Sequence, residues 1–168
     1  IYINPEEVYN DYTIAKNITG GKDVKSMFFV GSKVTEDIKY CLIMAFKNNQ
    51  SIKNEIWKMF VIHELTHKYL NNQFNNYDQV IGEEISLSST IYSNPYLGLA
   101  VMYSYLNYGA MNPHRMAAMN YIAFLSDNSG NRDFMNNPGQ IRNLSSEKIK
   151  ELSKTHFNFC INKLKNRR

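Results

Sequence analysis

The sequence predicts an α+β fold in a single domain over residues 1–168, with a small sheet followed by a mainly helical remainder. The length of 168 residues is that of one ordinary domain. Two short segments near the start are rich in aromatic and branched residues, which is typical of strands. Beyond them, apolar residues recur at helical spacing through most of the chain.

The predicted sheet lies in the first third of the chain. Residues 1–25 are polar and irregular. Residues 26–31 (SMFFVG) and 37–46 (DIKYCLIMAF) are predicted strands, joined by a short connection. We expect the two strands to form a hairpin or to lie side by side in the sheet.

The remaining chain is predicted to be helical. The longest pattern covers residues 52–73, and its apolar residues lie almost all round the helix, as is typical of a central, buried helix. A second helix is predicted over residues 77–92, because Asn94–Pro95 would end it. The other predicted elements are helices over residues 96–108 and 113–125, a polar loop over residues 126–143, and a last helix that begins near residue 145 with Ser146 as its N-cap.

Charge and hydropathy argue against two classes of protein. The net charge is +4, but residues 147–168 contain seven Lys or Arg and two Glu, so the rest of the chain is close to neutral. One basic helix on a neutral body is a poor surface for nucleic acid. No apolar run approaches the roughly 18 residues that span a bilayer. We therefore expect neither a nucleic-acid partner nor a membrane span.

Cysteine usage indicates no redox motif and no thiolate metal motif. Cys41 and Cys160 lie far apart and form no CxxC pattern. They would pair in a secreted protein, or remain two buried thiols, and both alternatives stay open. His156, in the last helix, is interpreted as a surface or packing residue. The chain begins with Ile1, which a removed signal peptide or pro-segment would explain, as would a trimmed end.

The residues that carry chemistry lie in the predicted helix over residues 52–73, where residues 63–67 read HELTH. His63 and His67 are four residues apart, so they project from one helical face and can bind a single Zn²⁺. Glu64 is directed towards the same site, where it can accept a proton from water that the metal activates. The pattern arises by chance in about one in 200 chains of this composition. Burying these polar groups in an apolar helix without partners would be costly, which favours the metal.

A catalytic zinc site typically has a third protein ligand. The residues after His67 include neither the glycine nor the histidine of the HExxHxxGxxH pattern, so the three-histidine class is excluded. The next helix offers Glu83 and Glu84 instead. Glu84 lies at the centre of the apolar face of that helix, and we predict it as the third ligand. Glu83 lies at the margin, where it would orient a histidine, act as the ligand itself or be solvated.

These residues resemble the gluzincin branch of the zincin metallopeptidases, whose signature is HExxH on one helix and a glutamate on the next. The resemblance covers about residues 60–92 and implies a zincin-like single domain that binds one Zn²⁺. It also implies hydrolysis of a peptide or protein substrate with Glu64 as the general base, and a strand that holds the substrate by strand addition. The pair Glu83–Glu84 before an aliphatic residue is similar to the clostridial neurotoxin light chains and favours Glu84, whereas the thermolysin pattern Glu-x-Ile-Ser favours Glu83. Lys68 departs from the family pattern, as does the short interval between His67 and the glutamates.

A zinc peptidase usually has a further donor that stabilises the oxyanion. The candidates lie downstream of the metal helices: His114, Arg115, Tyr103, Tyr105 and Tyr108. A tyrosine is more often a packing residue than a catalytic one, and a histidine at a helix start, as at position 114, is more often satisfied or exposed than catalytic. Because the chain is short for a peptidase with a full second lobe, the alternative function is a zincin-like zinc-binding domain without catalysis, acting as a binding or interaction module. The resemblance and the non-Met start favour an extracytoplasmic or secreted location, and the oligomeric state stays open.

Overall fold

Helices make up most of the chain that the computed structural model describes, which is residues 5–21, 26–27, 32–48, 52–74, 76–130 and 132–166. Two 3-10 helices, Arg132–Met135 and Pro138–Asn143, connect the last two α-helices. In chain order the α-helices of the described residues are α1 (Pro5–Thr19), α2 (Glu36–Asn48), α3 (Ile52–Gln73), α4 (Gln79–Ser93), α5 (Pro95–Tyr105), α6 (Pro113–Asn128) and α7 (Ser146–Lys165).

The predicted α+β class is wrong, because the fold is all-α. Two strands of two residues each, β1 (Ser26–Met27) and β2 (Ser32–Lys33), pair antiparallel and form the sheet of the described residues. Of the predicted strand over residues 26–31, the first two residues form β1, and residues 28–31 lie outside the described residues. Irregular structure was predicted for residues 1–25, but Pro5–Thr19 form helix α1, and residues 1–4 and 22–25 lie outside the described residues.

The predicted strand over residues 37–46 lies inside α2. Ile38, Cys41, Leu42 and Ala45 are buried, and they recur at the i, i+3, i+4, i+7 spacing of a helical face. The aromatic and branched composition suggested a strand, but the period of the buried positions is helical rather than the alternation of a sheet. The helix removes one of the two predicted strands that were candidates to hold a substrate by strand addition.

The helix starts follow from capping side chains. Asp78 accepts a hydrogen bond from the backbone N–H of Val80 and so begins α4. Asn94 and Asn112 cap α5 and α6, each followed by a proline in the first helical turn. The N-cap of α7 is Ser145, which accepts from the N–H of Lys148, and not the predicted Ser146. These caps place the ends of the helices that carry the candidate site.

Helix α4 is the centre of the fold, with α3, α5, α6 and α7 packed around it. All of its residues from Ile81 to Ser88 are buried. Helix α5 approaches α4 so closely that a Cβ atom added to Gly98 would lie 2.4 Å from the Cα atom of Ile91. The glycine therefore permits the contact between the two helices.

Helix α3 has the predicted bounds but not the predicted burial. Only one side of it is buried, including Ile56 and Leu70, whereas Leu65 and Tyr69 are each 50% exposed. Cys41 and Cys160 are both buried and free, in α2 and α7. None of the helices in the described residues is long and apolar enough to cross a membrane, in agreement with the sequence.

Candidate metal centre

Helix α3 presents His63 and His67 to α4 on adjacent turns. Their Nε2 atoms lie 3.2 Å apart, and both side chains are half-buried. The spacing of four residues in a helix produces this approach, as the sequence predicted. Two imidazole nitrogens therefore face one point between α3 and α4.

Helix α4 supplies Glu83 to this point. Glu83 Oε2 lies 3.6 Å from the Nε2 atom of His63, and Oε1 lies 3.5 Å from that of His67. Glu83 is only 5% exposed, and its Oε2 atom makes no hydrogen bond within the described part of the chain. A buried carboxylate oxygen without a donor is costly, so a cation is the partner that would complete it.

We expected Glu84 to face the histidines of α3, but in the structure Glu83 lies beside them. Glu84 is also buried, but it contacts Asn120, His156 and Cys160, on another side of α4. Consecutive residues of a helix project about 100° apart, so adjacent glutamates cannot both face α3. Almost every side of α4 is buried, and the apolar face that we used to choose Glu84 is therefore not the face towards α3.

His114 joins the site from the first turn of α6. Its Nε2 atom lies 3.4 Å from Glu83 Oε2. Asn112 Oδ1 accepts from the backbone N–H of His114 and lies 3.2 Å from its Nδ1 atom. Because this amide oxygen only accepts, the proton of the neutral imidazole is on Nδ1, and the lone pair of Nε2 is directed to the site. The ring of Tyr105 packs edge-on against His114, with 4.6 Å between the ring centroids.

The environment sets the protonation of the site. Burial lowers the pKa of His63 to about 4, so this imidazole is neutral near pH 7. The hydrogen bond to Glu83 raises the pKa of His67 above its ordinary value. Burial raises the pKa of Glu83, but the hydrogen bond from His67 and the imidazoles of His63 and His114 outweigh it, so the net pKa lies below its ordinary value. The centre therefore combines a carboxylate with at least one neutral imidazole.

A cavity of about 280 Å³ opens beside these residues. His63, His114 and Tyr108 contribute to its wall, together with the exposed Glu64. A larger groove of about 760 Å³ has a mainly apolar surface, to which Leu65 contributes, and neither histidine of α3 lines it. The smaller cavity is therefore the one that gives access to the candidate centre.

The remaining candidates for an oxyanion donor lie in different places. Arg115 donates to the backbone carbonyl of Tyr108, so its guanidinium holds the turn that precedes α6. Tyr103 donates to the carbonyl of Pro138, on the side of the fold where Arg142 and Cys41 are found. Tyr105, Tyr108 and His114 line the cavity beside the centre, and the imidazole of His114 lies 3.4 Å from the Glu83 carboxylate.

The donor atoms fit a zinc ion. Bonds of about 2.0–2.3 Å at tetrahedral angles separate two ligand atoms by about 3.3–3.8 Å. His63 Nε2 lies 3.2 Å from His67 Nε2 and 3.6 Å from Glu83 Oε2, whereas His67 Nε2 lies 3.5 Å from the other oxygen, Oε1, so the distances are close to this range and the carboxylate faces both histidines. Imidazole nitrogen and carboxylate oxygen are also the usual ligands of catalytic zinc.

No protein-family model, curated protein or solved structure matches the chain. The chemistry of the site therefore rests on its own residues. The sequence favoured a satisfied or exposed histidine at position 114 and a surface or packing histidine at position 156, but each lies beside a glutamate of α4, His114 partly exposed and His156 buried. One local signal was available, since His156 and Cys160 have the same four-residue spacing as His63 and His67.

Proposed function

We propose that the protein is a zinc-dependent peptidase in which His63, His67 and Glu83 hold the metal and Glu64 is the general base. One observation carries the proposal. The buried Oε2 atom of Glu83 has no hydrogen bond in the described residues, yet imidazole nitrogens of His63 and His114 lie 3.4–3.6 Å from it. The likeness of residues 63–67 to the HExxH motif supports the same assignment.

When bound, zinc supplies Lewis-acid chemistry, which polarises a scissile carbonyl and makes a water more acidic. Glu64 follows His63 in α3, is exposed and lines the cavity beside the centre. Its carboxylate can accept a proton from water there and deliver it to the leaving amine. His114 lines the same cavity, where its imidazolium form would donate to the oxyanion.

A zinc-binding domain without catalysis is the second candidate, and the position of His114 favours it. If His114 is a fourth ligand, the centre has four protein ligands and no open position, as structural zinc sites do. The two functions therefore differ in the role of two residues, Glu64 and His114.

Hydrolysis by zinc-loaded protein tests the proposal directly. Wild-type protein and a Glu64→Gln variant are incubated with a diverse peptide library, and the products are identified by mass spectrometry. We expect wild type to cleave peptides, EDTA to abolish cleavage, and Glu64→Gln to lose cleavage while retaining zinc at the wild-type level. Glu151→Gln, an exposed carboxylate of α7, is the matched control and should cleave normally. Cleavage that persists in EDTA, or no cleavage of any peptide by wild type, contradicts the peptidase.

The ligand assignment is tested by zinc affinity in competition with a chelator. Removing a residue that only orients a ligand typically weakens zinc binding by about 10–100-fold. Glu83→Gln should weaken zinc binding by more than about 100-fold, equivalent to about 2.8 kcal/mol of binding free energy. Glu84→Gln should retain cleavage that EDTA inhibits. If His114→Ala weakens zinc binding as much as Glu83→Gln does, the result supports the four-ligand site without catalysis instead.

A further inference from the structure

A second group of metal-ligating side chains lies between α4 and α7. It consists of Glu84 on α4 and of His156 and Cys160 on adjacent turns of α7, and we call it the α4–α7 cluster. The three residues are between 0 and 3% exposed. None of them takes part in the proposed hydrolysis, so their presence in the core needs a separate explanation.

The ligand atoms of the cluster form a small triangle. Glu84 Oε2 lies 3.4 Å from His156 Nε2 and 3.2 Å from Cys160 Sγ, and the Sγ and Nε2 atoms are 3.6 Å apart. A tetrahedral zinc site separates such atoms by about 3.3–3.8 Å. Two of the three distances lie in this range and the 3.2 Å distance is just below it, so the triangle is close in size to one face of a zinc site.

Ser88 determines which nitrogen of His156 carries the proton. Its hydroxyl donates to the backbone carbonyl of Glu84, so towards His156 Nδ1, 2.7 Å away, it can only accept. Nδ1 therefore carries a proton, and in the neutral imidazole the lone pair of Nε2 is directed at Glu84 and Cys160. A hydrogen bond that fixes the ring in this way is the usual support of a histidine metal ligand.

The carboxylate of Glu84 is oriented by a similar contact. Asn120 Nδ2 donates to Oε1 over 2.6 Å, which leaves Oε2 directed at the cluster. The thiol of Cys160 has a single proton and donates it to the same Oε2 atom. The lone pair of His156 Nε2 then faces only acceptor atoms of Glu84 and Cys160. A cation between them, either a proton or a metal ion, would remove this repulsion.

We propose that the α4–α7 cluster is a second zinc site, in which Glu84, His156 and Cys160 bind the metal. A thiolate, an imidazole and a carboxylate are a ligand set that suits zinc. Binding forms a bond to the Cys160 sulfur and releases its thiol proton to solvent, with no transfer of electrons. Because the ligands are buried and come from two helices, the role of the metal is structural and joins α7 to α4.

Cobalt substitution tests this site separately from the candidate peptidase centre. Cobalt bound to a thiolate has a near-ultraviolet charge-transfer band, whereas the ligands of the peptidase centre are imidazole and carboxylate groups only. Metal-free wild-type protein is titrated with Co²⁺ alone. We expect the band in wild type, its loss in Cys160→Ser, and its retention in Cys41→Ser, which removes the other buried thiol. A cobalt titration of wild type without the band overturns the proposal, and so does a band that Cys41→Ser removes.

Zinc content provides a second readout. Wild type loaded with zinc and then desalted should retain about two equivalents per chain, and Cys160→Ser about one. His63→Ala should lose cleavage and one equivalent of zinc but keep the cobalt–thiolate band. Wild type that cleaves peptides but has no cobalt–thiolate band would therefore overturn only the second site. Wild type that has the band but cleaves no peptide would overturn only the peptidase. If His156 is instead protonated and paired with Glu84, wild type and Cys160→Ser will bind equal amounts of zinc, which overturns the second site.

Discussion

Gly98→Ala should destabilise the protein, because this residue lies where α5 contacts the backbone of α4. The added Cβ atom would be 2.4 Å from Ile91 Cα and 2.7 Å from Ile91 N. Ordinary contacts between carbon atoms are about 3.5–4.0 Å long, so the helices would have to separate by about 1 Å. Backbone atoms cannot move aside by a change of rotamer, and the clash can be relieved only by this separation.

The size of the effect follows from two opposing contributions. Overpacking in a core costs about 1–3 kcal/mol, and the contact with backbone places Gly98→Ala in the upper part of this range. Alanine is favoured over glycine inside a helix by about 1 kcal/mol, which offsets part of the cost. The expected net loss is about 1–2 kcal/mol. For a domain of this size, each kcal/mol lowers Tm by about 2–4 °C.

Thermal unfolding followed by circular dichroism measures this loss, in metal-free protein to avoid a contribution from bound zinc. Gly109→Ala is the matched control, because nothing lies within 4 Å of an added Cβ atom and the glycine has no positive φ. This control should be neutral or stabilising by up to about 1 kcal/mol. A Gly98→Ala variant that unfolds at or above the wild-type temperature would refute the close packing of α5 on α4.

Other groups of the structure give further predictions. Zinc affinity should fall by up to about tenfold per pH unit on acidification. The hydrogen bond to Glu83 raises the pKa of His67, and zinc must displace the proton of this imidazole. Equal zinc affinities at pH 8 and pH 6, measured in competition with a chelator, would contradict this. Removing zinc with EDTA should lower Tm, since the metal binds the folded chain preferentially; an unchanged Tm would argue against both sites. Burial raises the pKa of Cys41 to about 12, so iodoacetamide at pH 8 should label it only after unfolding, as mass spectrometry can determine. Tyr121→Phe removes a buried 2.7 Å hydrogen bond to Ser153 and should lower the free energy of unfolding, measured in urea, by about 1 kcal/mol. An unchanged free energy of unfolding would contradict a stabilising role of this hydrogen bond.

Features that depend on local periodicity, such as the bounds of helices, were predictable from the sequence. The bounds of α3 agree with the prediction over residues 52–73, and α6 begins at Pro113 as expected. The approach of His63 and His67 was predictable too, because helix geometry alone brings residues four apart together. The strand predicted over residues 37–46 failed because branched and aromatic residues were given more weight than the spacing of Ile38, Leu42 and Ala45.

The rest of the site depends on tertiary packing. Whether Glu83 or Glu84 faces the histidines is a question of how α4 is rotated, and a helix that is buried almost all round has no apolar stripe from which to read the rotation. The positions of His114, His156 and Cys160 depend on how α6 and α7 pack on α4, which sequence spacing does not determine.

The burial of α4 on almost every side has a consequence for synthesis of the chain. Glu83 and both histidines of α3 leave the ribosome close together, so an α3–α4 hairpin already contains the three proposed ligands of the first centre. The opposite side of α4 is covered only after α6 and α7 have been synthesised. Until the ribosome has added His156 and Cys160, apolar residues on that side, such as Ile85, are exposed to water. The nascent protein therefore passes through a stage in which its central helix is half covered, and exposed apolar surface of this kind favours aggregation. Chains truncated before α7 should accordingly depend on chaperones for solubility.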